Sequence, residues 1–146
     1  ASTLLYAAAM GVSFAAIHEA MSASYDVIED DGQPSVLYRA LELVHQVVGD
    51  AQLVGFSGQI APALQVMATR LADDTIQVVL VNHDPQTVQS VSVTTPGGTA
   101  AQSMTILATP ALDATSHVRL ETQAWTDTAP VRVNPESLVI LAFRPL

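Results

Sequence analysis

Ile76-Gln77-Val78-Val79-Leu80-Val81 carries aliphatic side chains at both parities of an extended chain. Ile76, Val78 and Leu80 fall on one face, and Gln77, Val79 and Val81 on the other, because successive strand side chains alternate. A strand built this way lies inside a sheet that is covered on both faces. The pattern returns near the end of the chain, with Leu138, Ile140 and Ala142 opposed to Val139, Leu141 and Phe143. Working outward from these two runs, the chain after Asp50 reads as strands only. They are expected at 52–57, 63–71, 76–81, 88–94, 104–108, 118–121 and 138–143. Asp73-Asp74, Asp84-Pro85 and Pro96-Gly97-Gly98 supply turn chemistry between them. Short strands at this spacing predict an antiparallel β-sandwich over 51–146.

Residues 1–50 read differently. Ser2 suits the cap of a short helix that runs to Met10, and Gly11 suits its end. The run 12–17 (Val-Ser-Phe-Ala-Ala-Ile) is apolar at both parities and predicts a strand of the parallel-sheet type. After a loop with Asp31-Gly32 as a turn, Pro34 and Ser35 mark a second helix start. Leu37, Ala40, Leu41, Val44, Val47 and Val48 form its apolar stripe, and Gly49 marks its stop. Helix, strand, loop and helix in that order make one repeat of a β/α array. The whole is therefore mainly β: an antiparallel β-sandwich, 51–146, preceded by an α-β-α remnant of a (β/α)8 barrel, 1–50. A lone parallel-type strand has no sheet in this chain to join. The first segment is thus expected to offer its strand and its amphipathic helix to a neighbour.

Composition narrows the function. Charged residues make up only 13% of the chain against 49% hydrophobic, so apolar surface is in excess and suits either an interface or an Ala- and Val-rich core. The five basic residues are all arginine, against 14 acidic ones, for a net charge of −9. An acidic chain has no footprint for nucleic acid and is repelled by anionic membranes. No cysteine is present, which removes disulfides, thiolate metal sites and cysteine nucleophiles. No apolar run is long enough for a membrane-spanning helix.

Several stretches, taken in order, resemble a known family. They are Gly11-Val12 followed by His18, Tyr25-Asp26-Val27-Ile28, Asp31-Gly32-Gln33-Pro34 and Tyr38-Arg39-Ala40-Leu41. Ile76 to Asn82, Leu107-Ala108-Thr109-Pro110-Ala111-Leu112 and Val133-Asn134-Pro135-Glu136-Ser137-Leu138-Val139-Ile140 extend the series. Together they resemble the last barrel strand and helix, and the C-terminal sandwich, of family 79 glycoside hydrolases, the heparanase and β-glucuronidase group. Families 39, 44 and 51 carry similar tails. The resemblance implies a retaining mechanism with two glutamates, a nucleophile and an acid/base. In the family these lie at strands four and seven of the barrel. No residue of this sequence matches either motif, so the resemblance implies no catalysis by this chain alone. It implies a non-catalytic part or small subunit of a secreted assembly, in a heterodimer with a chain that carries the barrel. An accessory subunit of an unrelated secreted enzyme, such as a heterodimeric fungal oxidase, is a second expectation. A carbohydrate-binding module is a third. Extracellular localisation follows from the same resemblance.

Three residues stand out as substrate-binding candidates. His18 and Glu19 follow the barrel-like strand at the end where such folds carry chemistry. His18 suits a sugar or carboxylate contact, or a polar plug at a strand end. Glu19 suits a substrate contact, or a solvated loop acid. Trp125, the only tryptophan, suits sugar stacking or packing beneath the sandwich rim. Glu29-Asp30-Asp31 offers oxygens to a hard cation but lacks the spacing of a calcium loop, and reads as a solvated acidic loop. The histidines at 18, 45, 83 and 117 show no zinc-binding spacing. No metal and no cofactor is expected.

Overall fold

The computed structural model describes residues 7, 10, 28, 32–95, 97, 99–108, 119–126 and 130–146. The helix expected to end at Met10 and the strand expected at 12–17 lie outside these, apart from Ala7 and Met10. The first described element is α1 (Val36–Val48). Ser35 caps it: its Oγ accepts from the Tyr38 N–H at 3.1 Å, satisfying a donor that has no partner within the helix. Gly49 ends it by donating its N–H to the His45 carbonyl at 2.9 Å. A Cβ on Gly49 would stand 3.0 Å from that carbonyl oxygen, so the close approach favours glycine.

Among the described residues, eight strands follow: β1 (Gln52–Leu53), β2 (Leu64–Arg70), β3 (Ile76–Asn82), β4 (Gln89–Val91), β5 (Thr99–Ala108), β6 (Arg119–Ala124), β7 (Val131–Val133) and β8 (Leu138–Pro145). Six of them form an antiparallel sheet in the order β1-β2-β3-β8-β5-β6, and β4 pairs with β7 in a second sheet. The two runs with aliphatics on both faces, β3 and β8, are adjacent at the centre of the large sheet, paired from Ile76↔Phe143 to Val81↔Leu138. Chain reversal between β2 and β3 rests on Asp74 at φ 62°, with the Thr75 N–H donating to Asp73 Oδ1 at 3.0 Å. A bulge at Gln102 shifts the β5–β8 register between Ala101 and Ser103.

The large sheet buries both faces. On one, Met67, Val79, Val81, Leu107, Leu138 and Ile140 meet Ala40, Leu43, Val44 and Val47 of α1. On the other, Leu80, Val139, Leu141 and Phe143 meet Val131 and Val133 of the small sheet. The sandwich and its preceding helix are thus present as the sequence predicts. The helix stripe, however, is seated on the sheet of its own chain and does not wait for a neighbour. Leu43, outside the expected stripe, is buried to 2% exposure, whereas Leu37 and Leu41 are only half-buried. The sheet contacts a face turned slightly from the one the spacing suggested.

Several strands differ from expectation, among them β5, which begins at Thr99, and β6, which runs on to Ala124. The run at 52–57 stops at Leu53, although the Val54 N–H still donates to Ala68 O at 2.9 Å. The run at 88–94 pairs only over Gln89–Val91. The strand β7 was not expected at all.

Candidate functional site

His18, Glu19 and the Glu29-Asp30-Asp31 run lie outside the described residues. Trp125 follows β6 and is half-buried. Its ring packs edge-on against Phe143, with centroids 5.5 Å apart and planes at 86°. Its backbone N–H reaches back to the bulge at Gln102 O, at 3.4 Å. Trp125 is therefore anchored at the margin of the core. Among the described residues, no group of three or more His, Asp or Glu side chains converges to hold a metal ion.

Among the described residues, the structure assembles a concave feature from distant parts of the sequence. A groove of about 520 Å³ runs over the inner face of β2 and β3. Its floor is Leu64, Val66 and Ala68 beside Ile76, Val78 and Leu80. The loop 54–60 forms one wall, and Val91 to Thr95 form the other. Phe56 and Ile60 stand exposed on the first wall, at 52% and 41%. Gly58 there has φ 146°, a backbone region that disfavours any residue with a Cβ. Arg70 is the only charged side chain among the described residues that line the groove. No histidine or carboxylate lines it either. The described lining supplies shape, apolar surface and hydroxyl or amide groups suited to binding.

On the face of β3 that carries the groove floor, a polar knot fixes the strand's end. Asn82 is buried, and its Nδ2 lies 2.8 Å from Thr87 O and 3.1 Å from both Val133 O and Asn134 O. Its Oδ1 accepts from the Asp84 N–H at 3.0 Å. Ser137 Oγ donates to Asn134 O at 2.8 Å. Asp84 Oδ1 accepts from the N–H groups of Gln86 and Thr87, each at 2.8 Å. Those donors favour the charged form and hold the Asp84 carboxyl below its ordinary value. The Thr75 hydroxyl and N–H do the same for Asp73. These bonds bind one turn to the next and position β4 against β7; they are structural.

No protein-family model matches the chain, and no curated protein matches it. Solved structures do. A beta-porphyranase of glycoside hydrolase family 86, from the human gut bacterium Bacteroides plebeius, superposes with a TM-score of 0.56 at 12% identity. The match covers 73% of this chain and 19% of that one. A GH51 arabinofuranosidase from Xanthomonas axonopodis pv. citri gives 0.48 at 20% identity, over 68% of this chain and 24% of that one. Another arabinofuranosidase gives 0.47 at 18%, over 61% and 21%. The fold resembles that of the matched part of the porphyranase. The chain spans about a fifth of the length of the enzymes it matches.

Proposed function

We propose that this chain is a non-catalytic part, or small subunit, of a secreted glycoside hydrolase-like assembly, of the family 79 kind, and stabilises a partner chain that carries the catalytic barrel. One observation carries the reading. The likeness to the porphyranase covers 73% of this chain and corresponds to 19% of that enzyme, so the part matched is a minor portion of it. Two others support it. The described groove has no histidine and no carboxylate to act as acid, base or nucleophile. The run of apolar residues at 12–17 suits a barrel strand completed by other strands. The role is to complete and stabilise the catalytic domain, with the sugar chemistry supplied by the partner.

The test is native purification of the chain with mass spectrometry of whatever accompanies it, beside an aryl-glycoside assay of the isolated chain. A co-purifying barrel polypeptide, with no turnover by the isolated chain, is the expected result. Turnover by this chain alone would remove the non-catalytic reading. A foreign oxidase as the companion would replace the barrel with an unrelated enzyme.

A further inference from the structure

We propose that β6 is a self-association edge: two copies of this chain pair their β6 strands antiparallel about a two-fold axis at Thr122. The proposal goes beyond the partner reading above and does not rest on it.

The two edges of the six-stranded sheet are unequal. At one edge β1 has two residues, Gln52–Leu53, too few to template a further strand. At the other, β6 has six, Arg119–Ala124. Leu120, Glu121, Thr122, Gln123 and Ala124 are all exposed, although alternate side chains point to opposite faces of the sheet. The fold therefore leaves both faces of β6 uncovered, and among the described strands β6 pairs with β5 alone. Its outer edge offers main-chain donors and acceptors to a further strand. Sheet edges are commonly guarded by lysine, proline or a bulge. Residues 120–124 include no lysine and no proline, and the β5–β6 register runs unbroken from Ser103↔Ala124 to Ala108↔Arg119. Glu121 is the one charged residue among those five, and its charge decides the register.

A second copy is the occupant because the strand is complementary to itself in one register. Pairing about Glu121 would set two carboxylates directly opposite each other, in a chain of net charge −9. Pairing about Thr122 sets each Glu121 opposite Gln123 of the other copy, whose amide can donate to the carboxylate. The same register sets Leu120, 40% exposed, against Ala124 of the other copy. Leu120 and Thr122 lie on the α1-bearing face, where they oppose Leu107 and Thr105 of β5. There the Thr122 and Thr105 hydroxyl oxygens are 3.0 Å apart. The two-fold extends that pair into a row of four threonines, two from each copy, and threonine pairs across strands stabilise a sheet. The two six-stranded sheets become one continuous sheet. A contact one strand wide is smaller than a permanent dimer interface, so the association is weak and grows with concentration.

The experiment uses the intact chain, which has no cysteine, so an introduced thiol is the only one present. Sedimentation velocity at rising concentration is expected to show a reversible monomer–dimer equilibrium. In the proposed register Thr122 lies opposite itself, with about 5 Å between the Cα atoms, within reach of a disulfide. Ala124 lies roughly 14 Å from Ala124 of the other copy, out of reach. Thr122→Cys is therefore expected to form a disulfide-linked dimer under mild oxidation at least about tenfold faster than Ala124→Cys, read on a non-reducing gel. Gln123→Glu sets two like-charged pairs across the axis and is expected to weaken the dimer about tenfold. Gln123→Arg turns both into ion pairs and is expected to strengthen it about fivefold. All three positions are exposed, and urea midpoints close to the parent's show that the variants fold. A parent chain that stays monomeric at every concentration would overturn the proposal. So would equal crosslinking at 122 and 124, or a dimer indifferent to both charge changes, because either places the contact elsewhere. Failure here leaves the partner reading standing, since that reading is tested by the identity of the companion chain.

Discussion

Asn82 shows how one side chain fixes a fold. The amide is buried and joins the end of β3 to the turn after it and to the end of β7. Asn82→Ala leaves buried carbonyls without their donor and is expected to destabilise the chain by about 3 kcal/mol in urea denaturation. Asn82→Asp is expected to be worse near neutral pH, because a carboxylate would face carbonyl oxygens at the same distances. Its defect should shrink as pH falls, since those carbonyls raise its pKa and the protonated acid donates. Asp84 has the opposite sign. The N–H groups of Gln86 and Thr87 hold its folded pKa below the unfolded value near 3.8. Its contribution is therefore complete above that value and lost as pH falls through the folded one. Asp84→Ala should lower the urea midpoint at about pH 7 and differ little from the parent at about pH 2. An unchanged gap at the lower pH would mean that the side chain stabilises by packing.

At the scale of elements, α1 is the clearest test of packing. Leu43 is buried at 2% between helix and sheet, in a cluster with Met67, Val79 and Leu138. Leu43→Ala is expected to cost about 3 kcal/mol, and Ser35→Ala, which removes only the cap, about 1 kcal/mol. Equal small effects by thermal or urea unfolding would mean that the helix is not docked. The bounds of α1 were legible because Pro34, Ser35 and Gly49 are strong local signals. The faces of β3 and β8 were legible because alternation is also local. Strand β7 was not, since Val131-Arg132-Val133 lies between Pro130 and Pro135 and is too short for its period to register. What makes it a strand is β4, whose Val91 and Gln89 lie opposite Val131 and Val133. The loss of pairing after Leu53 has a local cause in Gly55 and Gly58, which weaken a strand interior.

For the whole molecule, legibility ends where chemistry depends on distant segments meeting. The groove draws on residues from Val54 to Thr95, brought together by the β2–β3 hairpin, and no motif announces it. Trp125 attracts notice by its type, yet its contact with Phe143 depends on the register of β5 against β8. The same cooperation of segments leaves one polar debt on the α1-bearing face. Thr69 and Gln77 are cross-strand partners, in line with Met67 and Val79 on that face. Thr69 Oγ1 and Gln77 Oε1 are buried and have no hydrogen-bond partner among the described residues. A buried hydroxyl without a partner destabilises the fold relative to a methyl of the same shape. Thr69→Val keeps the β-branch that suits a strand and removes the oxygen. In the isolated chain it is expected to raise stability by about 1 kcal/mol, read as a higher urea midpoint at unchanged slope. A lower midpoint would mean that the hydroxyl is hydrogen-bonded in solution, and that this part of the sheet is more polar than its neighbours make it.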